Sequence, residues 1–125
     1  MTYISNLDIL DSMKKQYNQL PQVAFSILLA LSLKERHGYE IIKQVSEDSN
    51  GKINLSPGAL YTSIKQLLEQ KLIHEKIRDD DTRRRYYVLT DKGKSVLNAE
   101  LNYYQNTIEL ARQRQVMEIR YGVYC

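Results

Sequence analysis

A mainly α chain with one small β-hairpin is predicted by three observations. Apolar residues recur at helical spacing up to about residue 70. Two segments rich in β-branched and aromatic residues, 72–78 and 84–90, then flank the polar run DDDTR, and a last helical pattern follows them. The order of helices, turn, helix and two-stranded hairpin is that of a winged helix-turn-helix, with a further helix at each end placed to dimerise.

Each element has its own signal. Tyr3, Leu7, Leu10, Met13, Tyr17 and Leu20 alternate three- and four-residue intervals, so 3–20 reads as a helix with one apolar stripe that Pro21 ends. From about Gln22 to Glu35 the chain is apolar nearly all round, as a central core helix must be. RHGYE reads as a glycine turn, and Tyr39, Ile41, Ile42 and Val45 then form a short helical stripe that stops near SNG at 49–51. KINLS at 52–56 reads as a brief strand. Ser56 supplies an N-cap oxygen, and Pro57 suits the first helical position because its missing N–H has no intrahelical partner there. After the hairpin, Thr90 or Asp91 caps a long helix to about residue 120, in which Leu97, Leu101, Tyr104, Ile108, Ala111 and Gln115 keep four-three spacing. The organisation expected is an N-terminal helix over 1–20, a winged helix over 21–90 and a dimerisation helix over 91–125.

Composition narrows the function. A length of 125 residues with 42% hydrophobic content suits one domain with a modest core, and a net charge of +3 means that a polyanion must be met by a local patch. The single cysteine, Cys125, forms no internal disulfide, which makes the cytoplasm the default compartment. The longest apolar run, VAFSILLALSL at 23–33, is shorter than the roughly 18 residues of a membrane span, and KERHGYE stands where a signal peptidase site would be. His37 and His74 lie far apart with no second ligand at zinc spacing, and DDD at 79–81 lacks the ligand alternation of a calcium loop, so neither metal nor cofactor is expected. No nucleophile motif or Gly-rich phosphate loop occurs, which argues against an enzyme.

The helix that begins in SPGALYTSIKQL carries the functional signal. At 100° per residue Leu60, Ile64, Leu67 and Leu68 share the core arc, whereas Gly58, Thr62, Lys65 and Glu69 share the opposite one and Tyr61 sits at the border. An ordinary solvated face is the plain alternative. The position of this helix ahead of a hairpin bearing RRR at 83–85 instead suits a helix in the DNA major groove, with arginines reaching phosphate or the minor groove. Internal pairing of DDD with RRR is the corresponding structural alternative for the wing.

HGYEI at 37–41, LSPGALYTSIKQLLEQKLI at 55–73 and RRRYYVLTDKGKSVL at 83–97 resemble the signature of PadR-type transcriptional regulators, from about Leu20 to about Glu100. The short terminal segment resembles the single-helix branch of that family. The resemblance implies a homodimeric DNA-binding regulator, usually a repressor, that a small ligand releases from its operator, and the two-fold symmetry of such a dimer calls for a palindromic site. It places DNA contacts on Tyr39, Pro57, Gly58, Tyr61, Thr62 and Lys65, and on Arg83, Arg84 and Arg85 of the wing. Two departures stand out: Lys71 occupies the place where the family usually has glycine, and PQVAFSILLAL lacks the basic, glycine-containing start common in the family.

The terminal stripes need cover that a three-helix domain does not offer, so Leu7, Leu10, Leu97, Leu101, Tyr104, Ile108 and Ala111 are expected at a two-fold interface. A small aromatic or hydrophobic effector would lie near that axis against Tyr103 and Tyr104, although a tyrosine at helical spacing also serves simply as packing. The competing function is a winged-helix protein-interaction module without DNA binding, in keeping with the low net charge and the acidic wing tip.

Overall fold

A computed structural model describes residues 20–78 and 84–116. The elements are α1 (Gln22–Leu31), β1 (Arg36–His37), α2 (Gly38–Asp48), α3 (Pro57–Glu69), β2 (Ile73–Ile77), β3 (Arg85–Leu89) and α4 (Asp91–Gln113). The N-terminal stripe with Leu7 and Leu10, the wing-tip aspartates and Arg83, and the residues after 116 lie outside the described residues.

One compact unit spans Leu20–Leu97. Its centre is α1, whose apolar sequence buries Ala24, Ile27, Leu28, Ala30 and Leu31, against Ile41 and Val45 of α2 and Leu60, Ile64 and Leu67 of α3. The helix ends at Leu31 rather than near Glu35. Beyond it Leu33 is solvent-exposed, and Arg36 turns inward so that its buried Nε donates to the Ala30 carbonyl at 3.0 Å. That bond satisfies a helix-end oxygen that would otherwise lack a partner.

The sheet corrects the sequence reading in two places. It has three antiparallel strands in the order β1-β3-β2, because Arg36 and His37 pair with Tyr87 and Tyr86 alongside the expected hairpin. The supposed glycine turn is thus a strand running directly into α2, with Gly38 as the first helical residue. KINLS, in turn, forms no strand. Asn50 and Gly51 adopt φ of 54° and 79°, the Ser49 Oγ accepts from the Ile53 N–H at 2.9 Å, and the Asn54 Nδ2 donates to the Gly51 carbonyl at 2.7 Å. Side chains capture the backbone groups that a ladder would need.

Lys71 shows how the chain manages without glycine after α3. The Leu72 N–H donates to the Leu67 carbonyl and the Lys71 N–H to the Leu68 carbonyl, both at 3.0 Å, with Lys71 itself at φ 61°. This is a Schellman closure with lysine at its left-handed position, where a Cβ costs about 1–2 kcal/mol. Lys71→Gly is therefore expected to stabilise the fold by about 0.5–1 kcal/mol after the entropy of the freed glycine is subtracted. Thermal unfolding checks this, and a lower Tm in the variant would contradict it.

Helix α4 starts inside the same unit. The Thr90 Oγ1 accepts from the Gly93 N–H at 2.9 Å as its cap and donates to the Lys71 carbonyl at 2.7 Å. Leu97, expected in the seam between copies, is instead buried in the core at 6% exposure, because the first turns of α4 pack on the end of the hairpin. In the second unit the described residues run from Asn98 to Val116. The helix stops at Gln113, and Gln115, expected in the heptad, takes φ 58° in another Schellman closure in which the Val116 N–H donates to the Ala111 carbonyl. Among the described residues no helix is long and apolar enough to cross a membrane.

Candidate nucleic-acid interface

The N-terminus of α3 is built as its sequence requires. The Ser56 Oγ accepts from the Ala59 N–H at 3.1 Å, Pro57 opens the helix, and Leu60, Ile64 and Leu67 turn into the core. Pro57, Gly58, Tyr61, Thr62, Lys65 and Glu69 are left exposed. The outward arc is thus polar and small at its first turn. A Cβ added at Gly58 meets nothing nearer than the Ser56 Oγ at 4.0 Å, so the packing of this chain does not require glycine there. Glycine is the residue suited to a position where another molecule comes close to the backbone.

Gly38 differs. A Cβ there would lie 2.6 Å from the Tyr61 hydroxyl oxygen and 3.2 Å from Leu60 Cδ2. The missing side chain lets Tyr61 of α3 lie over the start of α2, beside the exposed Tyr39. Across from them, the base of the wing brings in Arg84 and Arg85. These residues enclose an open cavity of about 600 Å³ together with His37 and Tyr87. Four of the residues expected to touch DNA, Tyr39, Tyr61, Arg84 and Arg85, therefore share one concave surface. Pro57, Gly58, Thr62 and Lys65 lie on the exposed face of α3 outside it.

The electrostatics of this surface are set by pairing. Arg85 Nε lies 3.3 Å from Glu75 Oε1 on the neighbouring strand, with the arginine side chain 70% exposed. Such an exposed pair contributes about 0–1 kcal/mol, so Arg85 exchanges this partner for another anion at little cost. Burial pushes the Tyr87 hydroxyl up from its usual range, and the Glu75 carboxylate and the Tyr61 hydroxyl add to the shift.

Behind the wing, Glu35 accepts from Arg78 and Lys76. The Arg78 hydrogen bond holds its carboxyl below the usual carboxylate range against an opposing effect of burial, with Lys76 adding to the lowering. The Arg78 guanidinium also lies 4.3 Å from the centre of the Tyr86 ring, and Tyr86 meets His37 edge to face. Sequence reasoning missed Glu35, Arg78 and His37 in this role. Glu35 lies 41 and 43 residues from Lys76 and Arg78, and His37 lies 47 from Arg84, beyond any local pattern.

On α4, Leu101, Tyr104 and Ile108 are 36–44% exposed and Ala111 is half-buried, forming an apolar strip. A cavity of about 500 Å³ opens beside Leu101, Tyr104 and Ile108. Tyr103 and Tyr104 pack edge to face at 5.9 Å. The Tyr104 hydroxyl donates to the buried Glu100 carboxylate at 2.8 Å, which with burial pushes its own titration up. Among the described residues no cluster of His, Cys, Asp and Glu is arranged to hold a metal ion.

Comparison with known proteins gives this geometry its context. Residues 27–99 match the transcriptional regulator PadR-like family. Transcriptional regulator YqjI of Escherichia coli K12 is 37% identical over 67 residues, which are 54% of this chain and 31% of that protein. The chain therefore spans about a third of the length of that relative. An uncharacterised protein of Lysinibacillus sphaericus is 34% identical over 76 residues, 58% of this chain and 70% of that one. A PadR family transcription regulator from Clostridium difficile R20291 superposes with a TM-score of 0.67 at 28% identity, covering 76% of this chain and 99% of that one. F93 from STIV, a winged-helix DNA-binding protein, shares the fold at a TM-score of 0.59 and 19% identity, over 70% of this chain and 92% of that one. With the winged helix, the outward face of α3 and the matched span in agreement, the chain belongs to the PadR-like family of transcriptional regulators.

Proposed function

We propose that the protein is a homodimeric, sequence-specific repressor that binds palindromic duplex DNA in the cytoplasm and is released by a small aromatic or hydrophobic effector. The observation that carries the DNA-binding part is the outward face of α3. It has a small, uncovered first turn at Gly58, with Thr62 one turn and Lys65 two turns on, and its Tyr61 shares a cavity with Arg84 and Arg85 at the base of the wing. In this reading α3 enters the major groove, Tyr39 and Tyr61 reach the sugar-phosphate backbone, and Arg83, Arg84 and Arg85 meet phosphate.

The dimer rests on the apolar strip of Leu101, Tyr104, Ile108 and Ala111, with Leu7 and Leu10 of the N-terminal stripe, and Leu97 drops out because the core already covers it. A two-fold axis there sets two α3 helices about one helical turn of DNA apart, roughly 34 Å. The effector site is proposed beside Tyr103 and Tyr104, whose rings border the cavity on α4 or pack next to one that does.

The test is a titration against duplex from the promoter of its own gene and against a scrambled duplex, each at two salt concentrations. Salt-sensitive binding that prefers the promoter is expected. Gly58→Ala is expected to leave Tm unchanged or slightly raised, since alanine is the better helix former by about 1 kcal/mol, while weakening promoter binding about tenfold. Weak, equal binding to both duplexes would favour a protein-interaction module, with the same face of α3 docking a protein partner.

A further inference from the structure

His37 occupies a position where two demands meet. It is the N-cap of α2: its Nδ1 lies 3.4 Å from the Glu40 N–H, and the Glu40 Oε1 accepts from the His37 backbone N–H at 3.2 Å. Its other ring nitrogen, Nε2, lies 3.0 Å from Nη1 of Arg84 at the base of the wing and 3.2 Å from the Glu40 Oε1. The guanidinium is a donor with no lone pair to offer, and so is the backbone N–H of Glu40. A neutral imidazole has one lone pair. The ring therefore accepts from Glu40 or from Arg84, but not from both.

Three observations decide between them. The Arg84 contact is the shorter by 0.4 Å, being 3.0 Å against 3.4 Å. The Arg84 bond is charge-assisted and about twice as strong as the neutral capping bond, and it is shorter than the Nε2–H contact to the Glu40 carboxylate, 3.2 Å, that the other tautomer would make. The Glu40 carboxylate keeps the His37 backbone N–H as a partner in either tautomer, so one half of the capping box survives. The ring is meanwhile fixed in place by Tyr86, edge-on at 5.4 Å between centroids, and by strand pairing of His37 with Tyr86.

From this geometry we propose that His37 is a positioning residue: in its Nδ1-protonated tautomer it holds the wing residue Arg84 through Nε2, at the expense of one capping bond of α2. The proposal rests on the DNA-binding reading for its purpose and not for its structure. A free arginine loses much side-chain entropy when it is fixed on a phosphate. An Arg84 already held beside Tyr39 and Tyr61 has lost part of that freedom beforehand, which tightens binding. His37 then serves the wing and α2 at once and fixes the distance between them.

The first measurement is the nitrogen-15 and proton NMR signature of the imidazole in free protein, with His37→Asn identifying which signals belong to His37 rather than His74. Nδ1 protonation is expected in the wild type. In Arg84→Ala the ring is expected to return to its capping duty and carry the proton on Nε2. An Nε2-protonated ring in both proteins would overturn the proposal.

The second measurement uses His37→Asn on promoter duplex. Asparagine is among the best N-cap residues, so it restores the cap while removing Nε2. Tm is expected to stay within a few degrees of wild type while affinity falls about three- to tenfold. Adding His37→Asn to Arg84→Ala is expected to have no further effect on affinity. Wild-type affinity in His37→Asn, or additive losses in the double variant, would also overturn it. A wild type that ignores DNA would defeat the DNA-binding reading instead, whereas the tautomer of free protein still decides whether His37 holds Arg84.

Discussion

Gly93→Ala is expected to destabilise the protein by about 3 kcal/mol or more, at the upper end of what overpacking a core costs. A Cβ at this position would overlap the Leu72 carbonyl oxygen, and would stand 2.9 Å from Leu89 Cδ1 and 3.0 Å from the Leu72 carbonyl carbon. The obstacle is backbone, and that backbone is tied down on both sides. The Leu72 carbonyl accepts from the Thr90 N–H at 3.1 Å, and the Leu72 N–H closes the end of α3. Neither can give way without opening the joint between α3, the wing and α4. Thermal unfolding should show a fall of roughly ten degrees or more for a chain of this size. A loss below about 1 kcal/mol would mean that the first turn of α4 slides to make room.

The second large effect is expected on DNA. Arg84→Ala with Arg85→Ala should weaken binding to every duplex, by roughly tenfold for each arginine that meets a phosphate, and should reduce the slope of log affinity against log salt by about 0.9 per phosphate left unneutralised. Both side chains border the cavity shared with Tyr39 and Tyr61; Arg85 pairs with the solvent-facing Glu75, and Arg84 lies 3.0 Å from the His37 ring. Removing Arg85 leaves Glu75 in a half-exposed position where water replaces the arginine, so folding should change little. A salt slope equal to that of wild type would show that the wing does not meet phosphate. Weakening restricted to one sequence would assign the arginines to base edges instead.

Much of this architecture is legible from spacing alone. The core arc of α3, with Leu60, Ile64 and Leu67, and its polar opposite face follow from helical periodicity, and the hairpin follows from its β-branched and aromatic runs around a polar tip. The cap at Thr90 is equally visible. What escapes are features made by partners distant in sequence. A two-residue strand such as Arg36–His37 is too short to show a period of two, and it exists because Tyr86 and Tyr87 are there to pair with it. Gly38 has the look of a turn residue, whereas it is cramped by Tyr61 from another helix. Lys71 is in a left-handed conformation that no local preference of lysine predicts, imposed by the need to pass from α3 into β2 within a few residues. For the site, the residue types are legible and their neighbours are not: pairing of Arg85 with Glu75 and of Arg84 with His37 has no signal in the local pattern.

The pairing of β1 with β3 also bears on how the chain reaches its fold. The β2–β3 hairpin closes between near neighbours, but its third strand closes a loop that holds all of α2 and α3. Loop closure on that scale is entropically unfavourable until packing inside the loop rewards it. The helices must therefore be largely assembled before the third strand can dock, which makes completion of the sheet, though not its hairpin, a late and dependent step of folding. A wing arginine then reaches its final place only in a molecule whose helical core has already formed.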